Sequence, residues 1–298
     1  MLYTQRNRST RRVLPPLLLL VLSLGMVVAC AQNATTSSST PTPAPTSQPA
    51  IPAITIKAMD FSFDQPQSLP AGPVDITLIN NGGVPHQAGI ARLKLGMTFE
   101  QLKAALLQQG PKALALFAIP VGGANIIMPG QSGEVILNLS PGQYVSVCFV
   151  RGADGIPHYA KGMIQTFTVS APSAQSSLQP PQAAAEIDLR NFAYTLGTIP
   201  SGPSVIKVTN DGTQGHEVQI VKLAAGKQEA DVLAFLKQPT GHAPFTYVGG
   251  MFTLVPGTSG WMKLNLQAGN YVVYCMVPDP ITGKPHVMLG MIASFTVQ

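Results

Sequence analysis

Residues 121–148 read VGGANIIMPGQSGEVILNLSPGQYVSVC and residues 248–275 read VGGMFTLVPGTSGWMKLNLQAGNYVVYC; without a gap, half of the positions are identical. Self-similarity of that density marks a duplication, so whatever the first copy folds into, the second must fold into as well. Upstream the register holds within a residue or two. Phe61, the Ala71-Gly72 turn and NNGGVPH ending at His86 answer to Phe192, Ser201-Gly202 and NDGTQGH ending at His216. Downstream, each cysteine opens a loop that returns a Gly-x-Pro-His and then a Gly-Met: Cys148, His158 and Met163 in the first copy, Cys275, His286 and Met291 in the second.

Short alternating segments bounded by Gly, Pro, Asn or Asp dominate both copies, among them 53–57, 74–78, 135–139, 144–150 and 164–169. Such segments predict an all-β chain of two tandem Greek-key sandwiches, antiparallel in character. One stretch per copy breaks the period. Thr98-Phe99-Glu100-Gln101 has the form of a capping box ahead of Leu102, Leu106 and Leu107, and residues 229–236 place Val232, Leu233 and Leu236 at helical spacing before Pro239. A short α-helical insertion is therefore expected after each histidine strand, covering a sheet edge or face.

The two ends of the first fifty residues differ in kind. Arg6, Arg8, Arg11 and Arg12 precede an apolar run over 13–28, and Val27-Val28-Ala29-Cys30 resembles a bacterial lipobox, so residues 1–30 read as a lipoprotein signal with Cys30 as the lipidated residue. The run is short for a bilayer span and is interrupted by Pro15-Pro16. This places the body of the chain outside the cytoplasm, anchored to the cell membrane. Residues 31–51 are rich in Ser, Thr and Pro, too poor in apolar groups to bury a core, and read as a disordered stalk. The first sandwich is expected over 52–170, a second polar and Pro-rich stretch over 171–184 as linker, and the second sandwich over 185–298.

Charge narrows the partners. The whole chain is formally +5, but four of its eighteen Lys/Arg lie in the signal and none of its thirteen Asp/Glu does; the remainder holds fourteen against thirteen, a net +1. Nucleic acid is not an expected partner. Ser/His/Asp elbows, HExxH and phosphate loops are absent, so neither a small-molecule substrate nor an enzyme is expected.

What remains is a pair of donor sets: His86, Cys148, His158, Met163 and His216, Cys275, His286, Met291. One thiolate, two imidazoles and one thioether suit copper in both oxidation states, because sulfur favours copper(I) and imidazole accepts copper(II). Up to two copper ions would be held. Two cysteines in an exported chain also admit a disulfide, although each here has its own copy of the same surroundings, and a copper-free descendant of the same fold is a further reading.

At these residues the chain resembles the cupredoxin family. NNGGVPH is similar to the turn before the first copper histidine of plastocyanin-like proteins, YVVYC to their cysteine strand, and PHVMLGM to the blue-copper loop of copper nitrite reductases. The resemblance runs from Ile54 onward and implies one type 1 copper site per copy, with those eight residues as ligands. Nine residues separate Cys148 from His158 and ten separate Cys275 from His286, longer than in small plastocyanin-like proteins. Gln87 and Glu217 follow the first histidines; Glu217 could reach the metal or His216, and its charge would then give the second site the lower reduction potential. With four of five histidines used and only His242 left, no three-His catalytic centre fits in one chain. The function implied is electron transfer with a transient redox-protein partner. A copper-holding or copper-delivery lipoprotein, or a copper-free surface module, is the alternative.

Overall fold

The computed structural model describes residues 50–171 and 178–298; the expected signal, Cys30, the stalk up to residue 49 and residues 172–177 of the expected linker lie outside them. The first copy contributes β1 (Ala53–Met59), β2 (Ser62–Asp64), β3 (Ser68–Pro70), β4 (Gly72–Asn80), β5 (His86–Leu93), α1 (Phe99–Gln109), α2 (Ala113–Phe117), β6 (Ala118–Ile127), β7 (Ser132–Leu139), β8 (Gly142–Val147) and β9 (Ile164–Ser170). The second contributes β10 (Ala185–Arg190), β11 (Ala193–Leu196), β12 (Gly202–Asn210), β13 (His216–Leu223), α3 (Glu229–Lys237), β14 (Phe245–Leu254), β15 (Ser259–Leu266), β16 (Gly269–Tyr274) and β17 (Ile292–Val297).

Each copy is a β-sandwich with strands in both sheets, yet neither sheet stops at the boundary between copies. One sheet runs β11-β10-β12-β15-β7-β4-β1-β2, the other β17-β16-β13-β14-β6-β5-β8-β9-β3. The seams are antiparallel, and at each seam sequence-equivalent residues face one another: Met262 opposite Val135, and Met251 opposite Ala124. Antiparallel pairing of equivalent residues means that the copies are related by an approximate two-fold axis through the seams. Met251 and Met262 are buried there as packing residues, and one apolar core runs from Ile56 of the first copy to Val297 of the second.

The pairing is mixed rather than antiparallel throughout. β1 runs parallel to β4, β10 to β12 and β3 to β9. Between β1 and β4 the chain visits the other sheet through β3, between β10 and β12 only β11 of the same sheet intervenes, and β3 and β9 are separated by most of the first copy; the alternation of apolar residues records none of these connections.

Alternation along β8 and β16 explains the helices. Tyr144 turns into the shared core, where its hydroxyl donates to the Ser140 carbonyl at 2.8 Å, while Val145 and Val147 point to the opposite face. There Leu102 and Leu106 of α1 pack on them; Val232 of α3 does the same on Val272, Tyr274 and Val221. The insertions cover a face of the longer sheet, not an edge. Thr98 caps α1 in a reciprocal box with Gln101, as its sequence predicts.

Candidate metal centres

Each first histidine is the opening residue of its strand, and an asparagine six residues earlier builds the turn before it. Asn80, the last residue of β4, donates from its amide to the carbonyls of Val84 (2.9 Å) and Ile127 (3.1 Å) and accepts from the Gly82 N–H (2.9 Å). Asn210 repeats this with Gln214, Leu254 and Gly212. The Asn/Gly turn therefore ties three separate backbone segments together just upstream of the imidazole.

The other donors come from one closed loop. Cys148 N–H donates to Met163 O (3.1 Å), Tyr159 N–H to Cys148 O (2.9 Å), and Met163 N–H to His158 O (2.9 Å). In the second copy Cys275, Val287, His286 and Met291 make the same bonds, between 2.8 and 3.2 Å. A short 3₁₀ turn carries each late histidine and ends on Gly162 or Gly290, whose φ values of 114° and 104° suit only glycine.

The result is two convergent sets. His86 and His158 present Nδ1 to each other at 3.1 Å, with Cys148 Sγ 3.5 Å from His158 Nδ1; His216 and His286 stand at 3.0 Å, with Cys275 Sγ at 3.4 Å. In each set the three donor atoms lie within 4.8 Å of one another, and all six residues are buried. Met163 and Met291 are completely buried and pinned by backbone bonds to the same loops. Cys148 and Cys275 are unpaired: no disulfide joins the copies.

Hydrogen bonds fix which ring nitrogen faces inward. His86 Nε2 lies 3.1 Å from the Asp60 carboxylate, His216 Nε2 3.1 Å from Asn191 Oδ1, and His286 Nε2 3.0 Å from Gln214 Oε1. Asn191 Oδ1 also accepts from the Thr213 N–H, and Gln214 Nε2 donates to the Asp279 carboxylate, so both amides are oriented with oxygen toward the ring. Each of the three Nε2 atoms is thus a donor and each Nδ1 a bare lone pair. His158 Nε2 alone is buried without a partner. Phe61 and Phe192, both in left-handed turns, set their rings edge-on to His158 and His286 at 5.0 and 5.2 Å.

Sequence reasoning missed this outer layer. Asp60 and Asn191 occupy the tips of the β1–β2 and β10–β11 hairpins, one residue before the matched phenylalanines, and the only signal for them was a polar residue preceding an equivalent aromatic. Gly82 and Gly212 complete the arrangement. A Cβ on Gly82 would stand 2.4 Å from Asp60 Oδ1 and 2.6 Å from His86 Nε2; on Gly212, 2.7 Å from Asn191 Oδ1 and 2.8 Å from His216 Nε2. Only a residue without a side chain lets the histidine meet its acceptor.

Gln87 and Glu217 act through their backbones. Their N–H groups, with those of Val150 and Val277, point at the sulfurs of Cys148 and Cys275. The Glu217 side chain lies on the far side of its strand, as alternation requires. It accepts from the Met276 N–H at 2.9 Å, beside Asn125 of the other copy, whose amide donates to the Val218 carbonyl at 3.2 Å, and it reaches neither His216 nor the donor set. Burial lifts its carboxyl to about 7. His242 is exposed, away from both sets.

Burial also sets the resting charges. It pushes the Cys148 thiol up to about 12 and Cys275 well above its usual range, and it depresses His158 and His216 to about 4. At neutral pH each set is uncharged: a protonated thiol beside two neutral imidazoles. Zinc takes Cys, His and carboxylate ligands, whereas two His, one Cys and a weak Met is the donor set of copper. The buried thioethers match copper, and the residues present fit it in both copies.

No protein-family model and no curated protein matches the sequence. Among solved structures the chain is similar to auracyanin B (24% identity over 40% of this chain and 88% of that one, TM-score 0.29). It is similar also to the dithionite-reduced auracyanin of Roseiflexus castenholzii (22%, 41% and 99%, 0.29) and to the copper nitrite reductase of Nitrosomonas europaea (13%, 84% and 94%, 0.26). What the two centres can do is set by their own donors, to which likenesses at these scores add nothing.

Proposed function

We propose that this chain is an extracytoplasmic electron carrier, tethered to the membrane through a lipidated Cys30, with one copper ion per copy. The observation that carries this is the pair of buried His/Cys/His sets, each inside 4.8 Å with a methionine fixed in the same loop. Bound copper would supply a one-electron couple. The chain's own residues do the rest: backbone bonds around Cys148–Met163 and Cys275–Met291 hold the donors where they stand, Asp60, Asn191 and Gln214 keep Nδ1 bare, and the sandwich excludes water. A scaffold held by bonds that do not involve the donors has little to rearrange when the charge at its centre changes.

The two centres are separate. Across the longer sheet His86 and His216 are three strand spacings apart, about 14 Å, and their partners on β6 and β14 fall six residues apart along the strands, about 20 Å. They open at opposite ends of the sheet. Each would meet a transient redox partner on its own, with no small-molecule substrate and no nucleic acid involved. Among the described residues no helix is long and apolar enough to cross a membrane.

Reduction and reoxidation of the copper-loaded protein, followed through its visible absorption, tests electron transfer directly. Full bleaching and recovery over repeated cycles supports a carrier. Release of copper on reduction would instead mark a protein that stores or delivers the metal.

A further inference from the structure

The two centres share ligands, loop bonds and turn geometry, but the acceptor behind the first histidine differs in charge. In both copies a hairpin tip places an oxygen 3.1 Å from Nε2, under a glycine that clears the approach. In the first copy that oxygen belongs to the Asp60 carboxylate; in the second, to the Asn191 amide. We propose that this difference in charge sets the two coppers at different reduction potentials, with the His86 centre the lower, so that Asp60 and Asn191 are the residues that specify which copper is oxidised first. This rests on the copper reading above.

The argument is electrostatic. A carboxylate accepting from Nε2–H makes the imidazole a stronger donor through Nδ1 and adds a negative charge about one ring away from the donor set; both effects favour copper(II) over copper(I). An amide in the same place offers a dipole and no charge. The second centre does have carboxylates further out, and each is occupied otherwise. Asp279 reaches His286 only through the Gln214 amide, and it also accepts from the Ile281 and Thr282 N–H groups and the Thr282 hydroxyl. Glu217 faces Met276 N–H and Asn125. The order is therefore the reverse of the one that a carboxylate at Glu217 suggested from sequence.

The test uses the full-length chain, with Cys275→Ala isolating the first centre and Cys148→Ala the second. Copper content is measured first, then each potential by redox titration. In the first background Asp60→Asn should raise the potential by about 59 mV, which is a tenfold shift in the copper(I)/copper(II) ratio. In the second, Asn191→Asp should lower it by a similar amount, and the two exchanges together should invert the order. Each exchange installs the residue that the other copy already uses, so if one variant fails to fold the other carries the test. One copper per single-site protein with potentials unmoved by either exchange would overturn the assignment to Asp60 and Asn191 and leave the copper reading standing. Absence of copper from both backgrounds and from the unmodified chain would overturn both together.

Discussion

Replacing Asn80 tests whether the turn before His86 is built by specific hydrogen bonds or by mere turn preference. Asn80 is completely buried and makes three bonds: two donated, to Val84 O and Ile127 O, and one accepted, from Gly82 N–H. Each neutral bond is worth about 1 kcal/mol net, and a buried carbonyl left unpaired, here that of Ile127, adds about 1–3 kcal/mol. Asn80→Ala should therefore cost about 4–6 kcal/mol, and at about 2–4 °C per kcal/mol for a unit of this size the midpoint of thermal unfolding should fall by about 8–24 °C. The informative variant is Asn80→Asp. Aspartate is as good a turn residue as asparagine, but here its carboxylate would face the two carbonyls that Asn80 donates to, and it should cost at least as much as alanine at pH 7. Chemical and thermal unfolding of the metal-free protein measures both, and because one core joins the copies the midpoint reports on the whole sandwich pair. An Asn80→Asp protein within about 0.5 kcal/mol of the unchanged chain would refute the reasoning.

Copper uptake should release about one proton per centre between pH 5 and 9. The metal needs thiolate, the Cys148 thiol stays protonated up to about 12, and His158 and His216, at about 4, are already neutral. Apparent affinity should accordingly rise about tenfold per pH unit across that window, or about 1.4 kcal/mol, and fall more steeply below pH 4; calorimetry in buffers of different protonation enthalpy counts the protons, and uptake with none released would contradict the buried thiol. Cys30→Ser should move the protein out of the membrane fraction or leave it unprocessed there, read by fractionation and mass; unchanged processing and membrane retention would point to another anchor.

The duplication made most of the frame legible. The same order of His, Cys, His and Met in both copies, at spacings that differ by only a few residues, pointed to the His/Cys/His sets whose donor atoms the fold brings within 4.8 Å. The helical insertions were legible for the same kind of reason: a Thr98 cap and leucines at helical spacing are local signals, and local bonds satisfy them. Three features were not legible. The parallel pairs β1/β4, β10/β12 and β3/β9 depend on the path the chain takes between their strands, and alternation along a strand carries no record of that. The fusion of the copies into two continuous sheets depends on the exposed edges of β6, β7, β14 and β15 finding one another across an approximate two-fold axis. The role of Asp60 and Asn191 depends on a hairpin tip meeting a histidine more than twenty residues away in sequence. Glu217 illustrates the opposite error. Its place beside His216 in sequence suggested a metal contact, yet adjacent residues in a strand face opposite ways, and its carboxylate went to the seam between the copies.

The central claim is that each buried donor set holds one copper ion through its own cysteine. Metal analysis together with a visible spectrum of the purified protein, set beside Cys148→Ala and Cys275→Ala, measures it directly. Two copper ions in the unchanged chain, one in each variant, and an intense thiolate-to-copper(II) band that each substitution removes from one centre is the predicted result. A copper content that is zero throughout, or that neither substitution changes, would contradict it.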